Sequence, residues 1–453
     1  MAVGSIHEIQ ITGLSHDGQG VGRLGDQVVF VPGLLATERA RIRLVHRSRR
    51  HWNGQRLELL QPSPLRRQPP CILAERCGGC SLQHLTPQGQ IQAKQQQLAD
   101  AMARIGHLAV PAQPLMASDR ELGYRNRAII PLERSDDGRI RAGYYERGSH
   151  SIINLNRCPV LDPRIDALIE PIKLDLQNTD WPVDRHLSQD GGLRHLALRV
   201  GHHSDELLIT LVSSHDDLPG LQELADHWMQ RWPSLVGVLL NLQDRPNNTL
   251  FGPQTQLISG REWLVEHFSG LTLHLGADTF FQVNTAQAER VVPLLLAACG
   301  EAPASHPLEI VDAYCGVGTF SLPLAAAGHH VVGLELHPSA VLLAERNALI
   351  NGLESRARFE TGSVAANLAA VLPRSDVLLV DPPRKGLESF VLQTVLEHPP
   401  RTLLYLSCDP ATLARDLGRL VGAGGYALES LQPLDFFANT SHVETLAVLR
   451  QSP

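Results

Sequence analysis

Between residues 5 and 60 apolar and polar positions alternate with a period of two, broken by glycine turns. Such alternation predicts half-buried strands, and the short spacing of the turns predicts a small all-β barrel. Arg39, Arg41 and Arg43 then share one face of a strand and Ala40, Ile42 and Leu44 the other, because successive side chains point to opposite sides. The segment QPSPLRRQPP at 61–70 has four prolines and no apolar period, which marks a stiff linker and a boundary. Residues 87–106 place Ile91, Leu98, Met102 and Ile105 at helical spacing before Gly106, and predict an amphipathic helix packed on another domain. From 121 to about 270, short alternating runs such as RAIIPLE, HLALRV and ELLITLVSS predict a strand-rich α+β region.

After about residue 270 the rhythm becomes strand, glycine turn, helix, repeated through LEIVDAYCGVGTF, HVVGLELHPSAVLLAERNALING, SDVLLVDPPRKGL and RTLLYLSCDPATLARDLGRL. Apolar strands alternating with helices of this length build a mainly parallel sheet covered on both faces. The final segment, ALESLQPLDFFANTSHVETLAVLR, predicts a hairpin that closes this sheet. The expected organisation is therefore a β-barrel over 1–62, a strand-rich α+β central domain over 63–270 and an α/β Rossmann-like domain with a mixed, mainly parallel sheet over 271–453.

Length and composition fit this picture: 453 residues with 43% hydrophobic and 19% charged residues allow several ordinary cores. The N-terminal stretch MAVGSIHEIQ has no basic region followed by an apolar run, and nowhere do eighteen apolar residues follow one another. Neither secretion nor membrane insertion is expected. The seven cysteines, an odd number with one tight group, point to metal ligands and functional thiols in a reducing cytoplasm. The net charge of −7 argues against a polyanionic partner until its distribution is considered. Residues 39–67 hold nine arginines and one acid, a local +8 that reads as a phosphate-binding footprint or as a solvated strand face.

Three strand ends carry the candidate chemistry. Asp312-Ala-Tyr-Cys-Gly316-Val-Gly318-Thr319-Phe is a strand ending in a glycine turn that opens a helix, and glycines let a ligand approach the backbone closely. Glu335, nineteen residues after Gly316, ends the next strand, where its carboxylate can accept hydrogen bonds from both hydroxyls of a ribose. Asp381-Pro382-Pro383 follows the apolar run VLLV, and its order after the glycine turn and the acid resembles S-adenosylmethionine methyltransferases more than dinucleotide dehydrogenases. Enzymes of that class acting on exocyclic amines usually place an aromatic residue after the prolines, where this chain has Arg384.

Cys408 stands just past a fourth apolar strand and just before a predicted helix near Pro410, a position that suits an activated nucleophile. Glu444, on the terminal hairpin, is the candidate general base, with a paired surface acid as the plainer alternative. Cys71, Cys77 and Cys80, with Cys158 before Pro159, supply four thiolates. Such a set suits an iron–sulfur cluster or zinc, and residue spacing leaves both open.

In combination the motifs FFQVN (280–284), DAYCGVGTF (312–320), DPPRKGL (381–387), SCDPATLARD (407–416) and SHVETL (441–446) give the chain a full-length resemblance to RNA uracil-5-methyltransferases. It most resembles the bacterial 23S ribosomal RNA members with an N-terminal TRAM barrel and an iron–sulfur cluster. The resemblance implies Cys408 as nucleophile and Glu444 as the base that removes the C5 proton. It implies that Gln282, Tyr314, Gly316, Gly318, Thr319, Glu335 and Asp381 line the S-adenosyl-L-methionine and uracil pocket, and that Cys71, Cys77, Cys80 and Cys158 hold a [4Fe–4S] cluster, with zinc the alternative. Tyr314 and Thr319 depart from the Phe and Asn often found in relatives. The implied partner is 23S rRNA, the implied state a monomer. Competing readings are methylation of a transfer RNA uracil, of cytosine C5 or of an amine, and a non-catalytic cluster-bearing RNA-binding protein.

Overall fold

A computed structural model describes residues 1–184, 186, 191–245, 249–300 and 306–452. They form two compact units: Met1–Glu121 with Cys408–Gly418 and Ser430–Leu446, and Leu122–Ser407 with Arg419–Glu429 and the segment from Ala447.

The first unit begins with a closed barrel of β1 (Ile6–Leu14), β2 (Gly20–Leu24), β3 (Gln27–Val31), β4 (Arg39–Arg47) and β5 (His51–Gln61), in the order β1-β2-β3-β5-β4. In β4, Ala40, Ile42 and Leu44 enter a core with Ile9, Ile11, Val29, Val31 and Trp52, while Arg39, Arg41 and Arg43 face outward. Helix α1 (Pro87–Ala101) starts with Thr86 accepting from the Gly89 N–H and Pro87 in the first turn, where its missing N–H costs nothing. It runs on as a π-helical turn over Met102–Gly106 and stops at His107, which has φ of 53°. The predicted apolar stripe is only half right. Leu98 and Met102 are buried, but Ile105 is exposed, and the buried face includes Gln90 and Lys94, which bond across to the segment 435–439.

In the second unit a six-stranded sheet has the order β11-β10-β9-β8-β6-β7, built from β6 (Arg127–Arg134), β7 (Ile140–Ala142), β8 (Leu193–Val200), β9 (Leu207–Ser213), β10 (Leu235–Leu242) and β11 (Gln254–Gly260). Helices α2 (Pro163–Gln177) and α3 (Leu221–Arg231) share its core. The alternation in HLALRV suggests a half-exposed strand, yet every residue of β8 is buried. Its polar positions are covered too: Arg194 donates to the carbonyls of Gln243 and Arg245, and Arg199 to that of Thr279. A hairpin of β12 (Trp263–Phe268) and β13 (Leu271–Gly276) follows, then α4 (Thr285–Cys299), capped by Asn284.

The remaining elements are β14 (Glu309–Ala313), α5 (Ser321–Ala326), β15 (His330–Glu335), α6 (Pro338–Ile350), β16 (Ala357–Thr361), α7 (Val364–Val371), β17 (Val377–Val380), α8 (Ser389–Glu397), β18 (Thr402–Ser407), α9 (Pro410–Gly422), β19 (Tyr426–Leu434) and β20 (Glu444–Gln451). They build a seven-stranded sheet of order β16-β15-β14-β17-β18-β20-β19, with β14 through β18 parallel. Strands β17 and β18 are buried along their whole length, as unbroken apolar runs demand between two layers of helices. The chain leaves β14 for β15 on one side and reaches β17 on the other. The carboxyl end of β14 is thus a topological switch point, the crevice where open α/β sheets bind ligands. Among the described residues no helix is long and apolar enough to cross a membrane.

Candidate active site

At that switch point the turn after β14 is held in an uncommon backbone shape. Tyr314 has φ of 70°, Gly316 57° and Gly318 86°. The N–H groups of Tyr314 and Cys315 both donate to the carbonyl of Leu334, which ties the turn to β15. A Cβ on Gly318 would lie 3.0 Å from Leu322 Cγ, whereas one on Gly316 would meet only the Phe280 carbonyl at 3.8 Å. The backbone is therefore open to close approach at Gly316, and packed at Gly318. Thr319 is buried beside them.

Glu335, the last residue of β15, braces this turn: Oε2 accepts from the Gly316 N–H at 3.1 Å and Oε1 from the His337 N–H at 2.9 Å. Beneath the turn lies Cys315. Its thiol is buried against Gly333, where an added Cβ would fall 2.7 Å from the sulfur, and desolvation together with Asp312 and Glu335 pushes its pKa well up. That is a packing thiol, inert as a nucleophile.

Two carboxyl groups face the same region. Asp312 is buried in β14 and accepts from Ser321 Oγ at 2.5 Å; desolvation, then the charge of Glu335, pushes its pKa up to about 7. Asp381, just past β17, accepts from Gln282 Nε2 at 3.2 Å and is likewise pushed up to about 7, by desolvation first and by repulsion from Asp312 second. A pair so enclosed holds one proton more readily than two isolated aspartates would. Asp312, read from sequence only as the start of a motif, thus belongs to the site.

The loop that presents Gln282 is clamped from the six-stranded sheet. Asn126 Nδ2 donates to the Gln282 carbonyl and to Thr285 Oγ1, both at 2.9 Å, and its N–H to the Val283 carbonyl at 2.9 Å. Arg127 donates to the carbonyls of Ala277 at 2.9 Å and Thr279 at 3.1 Å, and Arg199 donates to Thr279 as well. Burial lowers the pKa of Arg127 to about 10. No pattern in the sequence marks these three residues; they sit in strand runs more than 75 residues from the loop they hold.

Cys408 follows Ser407, the last residue of β18, and is half-buried. Asp409 Oδ1 accepts from the N–H groups of Ala411 and Thr412, both at 2.9 Å, so it caps α9 and leaves Cys408 just ahead of the helix N-terminus. Glu444 is the first residue of β20 and is 2% exposed. Arg450 donates to Thr402 Oγ1, and the Gln451 N–H to the Arg401 carbonyl, so the end of β20 lies beside the start of β18. The two neighbouring strands are therefore antiparallel, and the same register continued brings Glu444 level with Cys408.

Three of the cysteines in the first unit lie on one loop. The Cys71 N–H donates to Gln83 Oε1 at 3.1 Å and the Gly79 N–H to Cys77 Sγ at 3.4 Å; Cys71, Cys77 and Cys80 are half-buried thiols. Cys158, in the second unit, is a half-buried thiol too, and its N–H donates to Asp166 at 2.6 Å. Four thiols fit soft-metal or iron–sulfur ligation chemically. Among the described residues, however, no three His, Cys, Asp or Glu side chains are grouped as a metal centre requires.

The basic window also resolves into pairs. Arg39 meets Glu8, Arg41 meets Glu58, Arg56 meets Glu75, Arg66 meets Glu38 and Arg67 meets Glu121. Four of these five acids lie outside residues 39–67, so the local count overstated the positive charge left to a partner. Arg43, Arg47, Arg49 and Arg50 are exposed, and Arg47 stacks 5.5 Å over Trp52. The positive surface is concentrated at the β4–β5 hairpin.

Comparison with known proteins agrees with this layout. The chain is 52% identical to an uncharacterized RNA methyltransferase of Parasynechococcus marenigrum, covering 98% of this chain and 95% of the relative. It is 44% identical to another of Synechocystis, covering 99% and 96%. The crystal structure of Pyrococcus abyssi tRNA (uracil-54, C5)-methyltransferase in complex with S-adenosyl-L-homocysteine superposes with a TM-score of 0.75 at 25% identity, covering 98% of this chain and all of that one. The TRAM domain profile matches residues 2–50, so the closed barrel is a TRAM barrel. The profile described as tRNA (uracil-5-)-methyltransferase matches residues 86–357 and 372–452, and the chain belongs to that family of RNA uracil-5-methyltransferases.

Proposed function

We propose that this protein transfers the methyl group of S-adenosyl-L-methionine to C5 of a uracil in RNA, with Cys408 as nucleophile and Glu444 as base. The observation that carries the proposal is the β18–β20 register, which brings a half-buried thiol ahead of a helix N-terminus level with a buried carboxylate. S-adenosyl-L-methionine supplies an electrophilic methyl on a sulfonium. Gly316, Gly318, Tyr314, Thr319 and Glu335 would hold its adenosine part, with Gln282 and Asp381 beside the reacting groups.

Uracil C5 is too poor a nucleophile to take the methyl directly. Addition of the Cys408 thiolate to C6 forms an S–C6 bond and moves the ring electrons into an enolate at C4–C5. C5 then takes the methyl, and the donor leaves as the neutral thioether. The C5 proton passes to Glu444, and the electron pair left behind restores C5=C6 and expels the thiolate. The placement of Arg384, where exocyclic-amine enzymes carry an aromatic side chain, favours this route.

For the RNA target we propose 23S rRNA, supported by the combination of TRAM barrel and cysteine loop. Transfer RNA is the second reading, favoured by full-length likeness to a tRNA enzyme. We also propose that Cys71, Cys77, Cys80 and Cys158 hold a [4Fe–4S] cluster in preference to zinc, in a structural role, since no step above requires an electron. The residue ranges 1–62, 63–270 and 271–453 are proposed as the barrel, cluster and catalytic domains of a cytoplasmic enzyme.

Replacing Cys408 with Ala is expected to abolish both methyl transfer and the covalent protein–RNA adduct on a denaturing gel. A variant that keeps normal turnover overturns the mechanism. Mass mapping of 5-methyluridine in ribosomal and transfer RNA from cells with and without the gene decides the target.

A further inference from the structure

The connection from β19 to β20, residues 435–443, has no regular structure, yet most of it is buried. Connections normally run over the surface because their backbone polar groups need partners. Here the partners come from far away in the chain. Lys94 Nζ donates to Asp435 Oδ1 at 2.6 Å and to the Phe437 carbonyl at 3.0 Å. The Ser441 N–H donates to Ser81 Oγ at 3.0 Å.

Between these anchors sits Asn439, fully buried and with φ of 67°. Asn tolerates this left-handed conformation better than most residues. Its Oδ1 accepts from Arg67 Nη2 at 2.9 Å and from Gln90 Nε2 at 3.2 Å. Its Nδ2 donates to the Glu121 carbonyl at 2.7 Å. Its backbone N–H donates to Gln90 Oε1 at 2.7 Å, and its carbonyl accepts from the Leu82 N–H at 2.9 Å. One residue thus joins the end of the linker, the cysteine loop's exit, α1 and the start of the central region. Its position is five residues ahead of Glu444.

We infer that Asn439 is a positioning residue for Glu444: its hydrogen bonds fix the path of the connection and so the place where the carboxylate meets the C5 proton. Apolar side chains alone could not have covered this connection, because its buried N–H and carbonyl groups would be left without partners. Alternate residues 435, 437, 439 and 441 are instead pinned by directional bonds, which set position as well as burial. Asn439 itself touches neither substrate nor donor in this inference, which rests on Glu444 being the base.

The test uses the full-length enzyme and its RNA, with three variants. Asn439→Gly keeps the backbone conformation and removes the side-chain bonds; Ser81→Ala, a milder change, removes one acceptor and guards against misfolding of the first. Glu444→Gln is the reference for a missing base. Expected are an increase of about tenfold in steady-state protein–RNA adduct for Asn439→Gly and about threefold for Ser81→Ala, with KM for S-adenosyl-L-methionine within twofold of wild type. If Glu444→Gln accumulates adduct but Asn439→Gly and Ser81→Ala stay at the wild-type level, the positioning role is overturned and the base stands. Should the first of these be unstable, Ser81→Ala decides in the same way. If Glu444→Gln accumulates none, the base assignment falls, and the positioning role with it.

Discussion

Replacing Glu335 with Gln tests the proposed ribose contact at the turn after β14. A carboxylate offers about four lone-pair directions and an amide oxygen two. In the structure one direction on each oxygen of Glu335 is already taken, by the N–H groups of Gly316 and His337. Two remain for the two hydroxyls of a ribose. A Gln at 335 keeps two acceptor directions and turns an NH2 donor toward N–H or O–H groups, so the turn and the ligand compete for a single oxygen. Hydrogen bonds to a charged group contribute about 1.5–3 kcal/mol each. The loss of one such bond from the ligand weakens binding by about 10- to 150-fold. Isothermal titration of the purified variant with S-adenosyl-L-methionine, and with S-adenosyl-L-homocysteine as a neutral comparison, reads this directly. Both ligands carry the ribose, so both should weaken alike. A folded Glu335→Gln protein that binds either within threefold of wild type would refute the assignment of Glu335 to the ribose.

Two further expectations concern pH and salt. The folded-state pKa values of Asp312 and Asp381 lie above their unfolded values, so the stability linked to them is fully present below about pH 4 and is lost as pH rises through about 7. Chemical denaturation should therefore show wild type gaining more stability than Asp381→Asn between pH 8 and pH 6; equal gains would remove the buried carboxyl pair as the cause. At the barrel, the combined change Arg47→Ala, Arg49→Ala and Arg50→Ala should weaken RNA binding and make its salt dependence shallower, by about one unit of slope for each phosphate no longer neutralised. An unchanged slope in filter binding would place the RNA elsewhere.

The alternating barrel strands, the glycine turn after β14, the acid closing β15 and the thiol after β18 were all legible along the chain. Each is a local pattern: strand alternation, a run of fully buried residues, or a turn whose φ values call for glycine, repeats over a few neighbouring positions. Only the folded chain decided what depends on residues far apart. It paired four of the nine arginines of the basic window with acids outside that window, and tied Arg199 of β8 to the Thr279 carbonyl eighty residues away. It also gave α1 a buried face containing Gln90 and Lys94, because their hydrogen-bond partners arrive from residues 435–439. The placing of Glu444 level with Cys408 is of the same kind: their sequence separation says nothing of it, and it follows from β20 lying beside β18 in one antiparallel register.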